Sequence, residues 1–188
     1  MRFRIHLAAF GIFALSALGI AQGDANLRRD VDAIANAVKE NNRDEAKKRA
    51  VGLAKAHNID EVMHLYAPAK KGGLGIGPAD APIAPNGIAN AVQGLAKGAL
   101  PPAMVLAKPL EFEELAWRIA ALGDVTSAYA PQTDRGKKTR QMWLQIADDS
   151  REAALDFRAA ILARNAKGLV NAATRISDAC NACHATFK

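Results

Sequence analysis

Apolar side chains recur every three or four residues in four segments of the chain, which is the spacing of one face of an α-helix. The four stripes are Leu27, Val31, Ile34 and Val38; Phe112, Leu115, Ile119, Leu122, Thr126 and Tyr129; Trp143, Ile146, Ser150, Ala153, Phe157 and Ala160; and Leu169, Ala173, Ile176, Cys180, Cys183 and Phe187. In the last three stripes the spacing alternates between three and four residues, as in left-handed helix bundles. The pattern therefore predicts an all-α chain, built as a four-helix bundle with an extra N-terminal helix and an irregular insert.

Residues that favour helix ends flank these stripes. The glutamates between residues 111 and 114 stand at the start of the second stripe, where acidic side chains interact favourably with the positive end of the helix dipole. Pro131 follows that stripe and is expected to stop its helix. Asn165 and Gly168 predict a tight turn between the last two helices.

A further helix is predicted from Asp44 to about Asn58, with an extension from Asp60 to Tyr66. Asn41 and Asn42 precede it. Because asparagine favours turns, this pair either separates the new helix from the first stripe or lies inside one long helix. The sequence alone leaves both arrangements open.

Residues 67–110 differ from the rest of the chain in containing many residues that break helices, namely prolines and glycines. The prolines of this segment are Pro68, Pro78, Pro82, Pro85, Pro101, Pro102 and Pro109. Four glycines lie between Gly72 and Gly77, and a short helix is predicted from Gly87 to Lys97. We expect an irregular insert, since long connections in compact domains are usually functional or disordered. Its glycine run is either a flexible connector or a loop that covers a bound group.

The N-terminus has the pattern of a secretory signal, which combines a basic start, a short apolar run and small residues at a cleavage site. Met1 to Arg4 supply the basic start, Ile5 to Ile20 the apolar run, and Gly19 and Ala21 the small residues. The expected products are a signal peptide over 1–21 and a single periplasmic domain over 22–188. An uncleaved anchor is the alternative, although the run is shorter than the ~20 residues of a spanning helix.

Composition and charge narrow the function further. The 188 residues carry a net charge of +6, which falls to +4 when Arg2 and Arg4 leave with the signal. The remaining cations are scattered among acids and no aromatics interleave with them, so nucleic acid is not an expected partner. The mild positive charge suits an acidic redox partner, or is simply a solvated surface. Two cysteines are too few for a disulfide framework or a four-cysteine zinc site.

The most specific motif is Cys180-Asn-Ala-Cys183-His184, the C-x-x-C-H attachment signature of a c-type haem. Two thiols form thioethers with the porphyrin vinyl groups, and the histidine binds the iron from one face. Residues three and four apart share one face of a helix, so the three side chains are expected to converge. A dithiol redox site, a zinc site and a plain disulfide fit the helical context less well.

The exported helical chain ending in Cys-Asn-Ala-Cys-His-Ala-Thr-Phe-Lys resembles the class II c-type cytochromes, the cytochrome c′ and cytochrome c-556 group. The resemblance covers about the last 55 residues in detail. It implies that Cys180 and Cys183 carry one covalent haem c, that His184 is the proximal ligand, that Phe187 packs on the ring and that Lys188 pairs with a propionate. Homodimers occur in that family, and a homodimer is accordingly possible here. The chain departs from the family in its long insert and in lacking a methionine early in the first helix.

The identity of the sixth iron ligand is open in the sequence. Met63 is the favoured residue, with His64 next, because both stand at a helix end just before the glycine run. Met142, Met104 and His57 are further candidates.

The function expected from these features is that of an electron carrier with His/Met or His/His ligation, not an enzyme. The alternative is a five-coordinate protein of the cytochrome c′ type that binds NO or CO. A peroxidase needs a distal acid–base pair, and no His–Arg constellation in the sequence demands one.

Overall fold

The computed structural model describes residues 16–77, 83–84 and 86–187, with side chains from residue 25 onward. Within these ranges it contains eight α-helices, one 3-10 turn over Ala69–Lys71 and a single isolated β-bridge. The helices are α1 (Ser16–Lys39), α2 (Arg43–Ala56), α3 (Ile59–His64), α4 (Ile88–Ala96), α5 (Pro102–Leu106), α6 (Pro109–Ala128), α7 (Arg140–Leu162) and α8 (Ala166–Phe187). The prediction of an all-α fold is confirmed. Residues 1–15 of the expected signal peptide lie outside the described residues.

The first stripe and the helix after it form two separate helices. Asn41 has a positive φ of 57°, which ends α1. The side chain of Asn42 then accepts a hydrogen bond from the backbone N–H of Glu45 at 3.2 Å and caps α2. Of the two arrangements left open by the sequence, the structure therefore has the broken one, in which α1 and α2 pack against each other.

Helices α6, α7 and α8 pack in sequence order, α6 on α7 and α7 on α8, and form the largest part of the core. α6 ends at Ala128, three residues before Pro131, as predicted. The Thr139 side chain caps α7, because its hydroxyl oxygen accepts a hydrogen bond from the backbone N–H of Met142 at 3.1 Å. In the turn between α7 and α8, the Asn165 side chain accepts from the N–H of Gly168 at 3.0 Å, which confirms the predicted turn.

The apolar stripes predicted from the sequence face this core. Phe112, Leu115, Ile119, Phe157 and Leu169 are all at most 1% exposed. Fully burying a side chain of this size contributes about 1.5–3 kcal/mol, so the stripes supply much of the stability of the helix packing.

The segment 67–110 is more regular than expected. The short helix predicted from Gly87 to Lys97 is present as α4, but the segment also contains α5 and the first residues of α6. Pro102 and Pro109 are the first residues of α5 and α6. Proline is well tolerated there because the first N–H groups of a helix have no partner to lose. Two of the prolines that were expected to interrupt helices therefore begin them.

Candidate functional site

Cys180, Cys183 and His184 lie on the last two turns of α8 and line one cavity. Their spacing of three and four residues places them on the same face of the helix, as the sequence predicted. Cys180 and Cys183 are partly buried, whereas His184 and Asn181 are exposed where the cavity opens to solvent. The motif therefore forms one wall of a site that is reachable from outside.

The cavity has a volume of about 170 Å³ and opens to solvent. This is less than the ~300–1,000 Å³ of typical sites for small molecules and cofactors, so a porphyrin would also occupy the space at the opening. Five helices form its walls. The lining residues besides the motif are Met63 and Tyr66 of α3 and its end; Ile88, Ala89, Val92 and Gln93 of α4; Gly123 and Thr126 of α6; Ile146, Ala147 and Ser150 of α7; and Ile176, Ser177 and Ala179 of α8. Most of these groups are apolar or small, which suits a flat apolar ligand.

The two cysteines are free thiols. Burial raises the pKa of the Cys180 thiol, and the neighbouring Cys183 raises it further. Burial also raises the pKa of Cys183. Both sulfur atoms are therefore protonated at neutral pH, and the low-pKa thiolate of a redox-active cysteine pair is not favoured here.

Tyr66 was not singled out in the sequence, yet its phenol shares the cavity with the motif. Burial raises the pKa of Tyr66 far above its ordinary value, and the nearby Cys180 and Cys183 add to the effect. The phenol is therefore neutral and close to both cysteines. Tyr66 lies two residues beyond the end of α3, and its N–H donates to the carbonyl of Met63 at 3.3 Å. The turn therefore continues past the helix, and the spacing of three residues keeps Tyr66 on the same side as Met63.

The structure separates the two favoured candidates for the sixth ligand. Met63 lines the cavity and is partly buried. His64 is exposed, and its Nε2 hydrogen-bonds to the backbone carbonyl of Lys71 at 2.5 Å. Consecutive residues of a helix point about 100° apart, so only one of the pair can face the cavity. In this structure that residue is Met63.

The remaining candidates lie elsewhere. Met104 is 48% exposed and Met142 is 40% exposed, and neither is among the described residues that line the cavity. The Nδ1 of His57 is 3.2 Å from a carboxylate oxygen of Glu61, outside the same lining. Within the described residues, Met63 is thus the only one of the five candidate ligands that lines the cavity.

Phe187 was expected to pack on the ring of a bound haem. In the structure its ring contacts Trp143 edge-on, with the ring centroids 4.8 Å apart. The indole Nε1 of Trp143 donates to the backbone carbonyl of Thr126 at 2.7 Å. Phe187 therefore attaches the end of α8 to α7 and α6, and it is not among the cavity-lining residues. Lys188 lies outside the described residues.

Backbone contacts fix the position of α3. Its N-terminus has a capping box, in which the Asn58 side chain accepts from the N–H of Glu61 at 3.0 Å and the Glu61 side chain accepts from the N–H of Asn58 at 3.1 Å. After the helix, the carbonyl of Tyr66 accepts from the N–H of Ala89 at 3.1 Å, which connects α3 to α4. The two helices that form this wall are therefore held together directly.

The glycine run lies against the end of α3. A Cβ on Gly73 would be 1.8 Å from the backbone oxygen of Ala67, so only glycine allows this close approach. The N–H of Leu74 donates to the carbonyl of Leu65 at 2.9 Å. The run supports α3 and does not itself line the cavity.

A buried ion pair lies next to the cavity, between α6 and α7. Asp124 follows the cavity residue Gly123, and Arg151 follows the cavity residue Ser150. The Nε of Arg151 is 3.4 Å from Oδ1 of Asp124, while Oδ2 of Asp124 has no hydrogen-bond partner among the described residues. Burial raises the pKa of Asp124, and the positive charges of Arg151, Arg43 and Lys47 oppose that shift. No pattern in the sequence indicates this pair.

Within the described part of the chain, no group of three or more His, Cys, Asp or Glu side chains is placed to hold a metal ion. A haem does not require such a group, because the porphyrin supplies four of the iron ligands. Among the same residues, no helix is long and apolar enough to cross a membrane. Comparisons with protein-family models, curated proteins and solved structures found no match to this chain.

Proposed function

We propose that this protein is an exported c-type cytochrome that carries electrons through one covalently attached haem. The observation that supports the proposal most directly is that Cys180, Cys183, His184 and Met63 line one cavity although Met63 is distant from the others in sequence. The C-x-x-C-H spacing is specific for haem attachment, and the cavity adds mostly apolar walls of the kind that a porphyrin contacts.

The residues present fit the group in three respects. The thiols of Cys180 and Cys183 lie on the face of α8 that lines the cavity, where both could form thioethers with one porphyrin. His184 belongs to the same wall, and Met63 comes from a different helix. The apolar residues of α4, Ile88 and Val92, would exclude water from the porphyrin face.

A bound haem of this type supplies a one-electron Fe(III)/Fe(II) couple. The chain would hold it through thioethers at Cys180 and Cys183, with the His184 imidazole and the Met63 sulfur as the residues that would bind the iron. A thioether opposite a histidine raises the reduction potential relative to two histidines. If both His184 and Met63 bind the iron, no position would be left for an external gas, and this ligand set would favour electron transfer over gas binding.

The five-coordinate, NO- or CO-binding alternative is favoured by a different observation. Met63 is only partly buried and belongs to a six-residue helix. Helices this short are marginal on their own and depend on their caps and tertiary contacts. If α3 withdraws when the haem is bound, the distal position becomes free.

The proposal extends to location and partners. We infer that residues 1–21 are a signal peptide and that the mature protein works in the periplasm, where covalent haem attachment and exchange with a redox partner protein are both expected. The chain is proposed as a carrier and not as an enzyme.

To test attachment, the full chain is expressed together with a system that attaches haem covalently. Haem that stays on the protein during denaturing electrophoresis is then measured. Cys180→Ala and Cys183→Ala should each weaken retention, and the double variant should abolish it. Asn181→Ala is the matched control, since Asn181 lies between the two cysteines and lines the same cavity. Undiminished retention in the double cysteine variant would overturn the proposal.

The test of ligation is the visible absorption spectrum of the oxidised, reduced and CO-treated protein. A low-spin spectrum that CO does not change supports the electron carrier, and Met63→Ala should then convert it to a high-spin, CO-reactive form. Met142→Ala is the control, because Met142 is exposed outside the cavity lining. A high-spin spectrum that shifts with CO in the unchanged protein would contradict the carrier and select the gas-binding alternative.

A further inference from the structure

The connection between α6 and α7 carries an exposed group of cations. Arg135, Lys137 and Lys138 lie within four residues of one another, and residues 132–138 are all exposed. We call these three side chains and their backbone the cationic turn. The N–H of Arg135 donates to the carbonyl of Lys138 at 3.0 Å, and the N–H of Lys138 donates to the carbonyl of Arg135 at 2.9 Å. Gly136 adopts a φ of 58°, which closes the turn. The three charges are therefore presented on a defined backbone.

The charges of the cationic turn are only partly offset locally. Asp134, whose Oδ1 accepts a hydrogen bond from the backbone N–H of Arg140 at 2.7 Å, is the one acid beside the three cations, so residues 132–138 keep a net charge of +2. Across the described ranges, none of the three cations forms an ion pair. Unpaired surface cations on one short turn create a local positive potential, which acts over about one Debye length, ~8–10 Å in ordinary salt.

The cationic turn lies at the end of the molecule where the cavity opens. It directly precedes α7, and Trp143, on the first turn of that helix, contacts Phe187 at the end of α8. His184, one helical turn before Phe187, is exposed at the cavity opening. The first turn of α7 and the last turn of α8 are thus neighbours, and so are the segments next to them.

The composition of the cationic turn favours a protein partner over a membrane. Residues 132–138 contain no apolar side chain, so this segment has no group that would insert between lipids. An acidic protein surface requires only charge complementarity, which steers association and raises its rate by about 10–10³-fold at low salt.

We propose that the cationic turn is the docking surface for an acidic electron-transfer protein, and that it guides this partner to the open side of the cavity. The inference rests on the proposed function, because it assumes a haem whose edge is reached through that opening. In the reaction one electron passes from the partner to the ferric iron, so the partner is oxidised by one electron and the iron is reduced to Fe(II).

The test is the rate at which a reduced acidic flavodoxin reduces the haem-loaded protein in stopped flow. The turn variant is Lys137→Glu/Lys138→Glu. Its matched control is Arg164→Glu/Lys167→Glu, which makes the same change of charge on exposed residues at the other end of α8. That end is about 30 Å away along the helix, far beyond the Debye length.

At low ionic strength the turn variant should react about tenfold more slowly, and the control should change by less than about twofold. The difference should shrink as salt is added. The rate of oxidation of the reduced protein should depend on charge in the same way. Compared with the unchanged protein, the turn variant should be oxidised more slowly by the anion ferricyanide and faster by the cation tris(phenanthroline)cobalt(III). Equal rates for the turn variant and the control would overturn the docking surface.

Two further outcomes are decisive. If the unchanged protein sediments with phosphatidylglycerol vesicles and the turn variant does not, the cationic turn binds a membrane and the protein-partner inference is wrong. If the purified protein carries no covalent haem, its spectrum shows this before any rate is measured, and the proposed function fails together with the inference. A haem-loaded protein with unchanged rates refutes the docking surface alone.

Discussion

Replacing Gly123 of α6 with alanine is expected to destabilise the protein, although the same change elsewhere in a helix stabilises it. Gly123 lines the cavity and lies where α6 is in close contact with α7. A Cβ at this position would be 2.9 Å from the Cβ of Arg151, 3.1 Å from the carbonyl oxygen of Ala147 and 3.2 Å from the Cα of Arg151. Two of these three atoms belong to the backbone of α7, so the helix itself must move.

The magnitude follows from comparing Gly123 with Gly52. Gly52 lies inside α2, and a Cβ there would have no atom within 4 Å. Alanine is preferred over glycine in a helix interior by about 0.8–1 kcal/mol, and both variants gain this amount. Overpacking adds a penalty of about 1–3 kcal/mol only at Gly123. With about 2–4 °C of melting temperature per kcal/mol for a chain of this size, the two variants should differ by about 6 °C.

The assay is thermal unfolding followed by circular dichroism, on the same preparation and in the same buffer for both variants. We expect Gly52→Ala to melt above the unchanged protein and Gly123→Ala to melt below both. If Gly123→Ala stabilises as much as Gly52→Ala, then α6 and α7 are not in close contact at this point. The helix packing that forms this side of the cavity would then be incorrect.

Two further variants test the surroundings of the cavity. Because the pKa of Asp124 is raised above 3.8, its carboxyl contributes stability below that pH and loses it as pH rises through the raised pKa. The free energy of unfolding of the unchanged protein, minus that of Asp124→Asn, should therefore fall as the pH rises. Denaturant titrations at several pH values measure this difference, and a difference that does not change with pH would contradict the prediction. Asn58→Ala removes the α3 cap and should cost about 1 kcal/mol and speed amide hydrogen exchange in α3, whereas the exposed Asn171→Ala control should do neither.

The helices were predictable wherever apolar side chains recur every three or four residues among polar ones. Phe112, Leu115 and Ile119 recur at helical spacing, and all three are buried as that spacing implies. The insert was less predictable because proline has two opposite meanings. Pro102 and Pro109 interrupt a helix if they lie inside it and initiate one if they lie at its start, and the residues around them do not separate the two cases.

The candidate site was predictable on one side only. Cys180, Cys183 and His184 lie within five residues, and any helix places them on one face. The other walls come from helices that are distant in the chain. Tyr66 and Gly123 were missed because neither residue type is unusual in its segment, and their roles arise only where α3 and α6 meet the same cavity.

The sequence by itself determined the all-α class, the position of most helices and the convergence of the motif side chains on α8. These properties depend on spacings of three and four residues, which act within one helix. Only the tertiary structure decided that Met63, and not His64, faces the cavity. That choice depends on the rotation of α3 about its own axis. The rotation is set by contacts that no local pattern contains, namely the bond from Ala89 to the Tyr66 carbonyl and the close approach of Gly73 to Ala67.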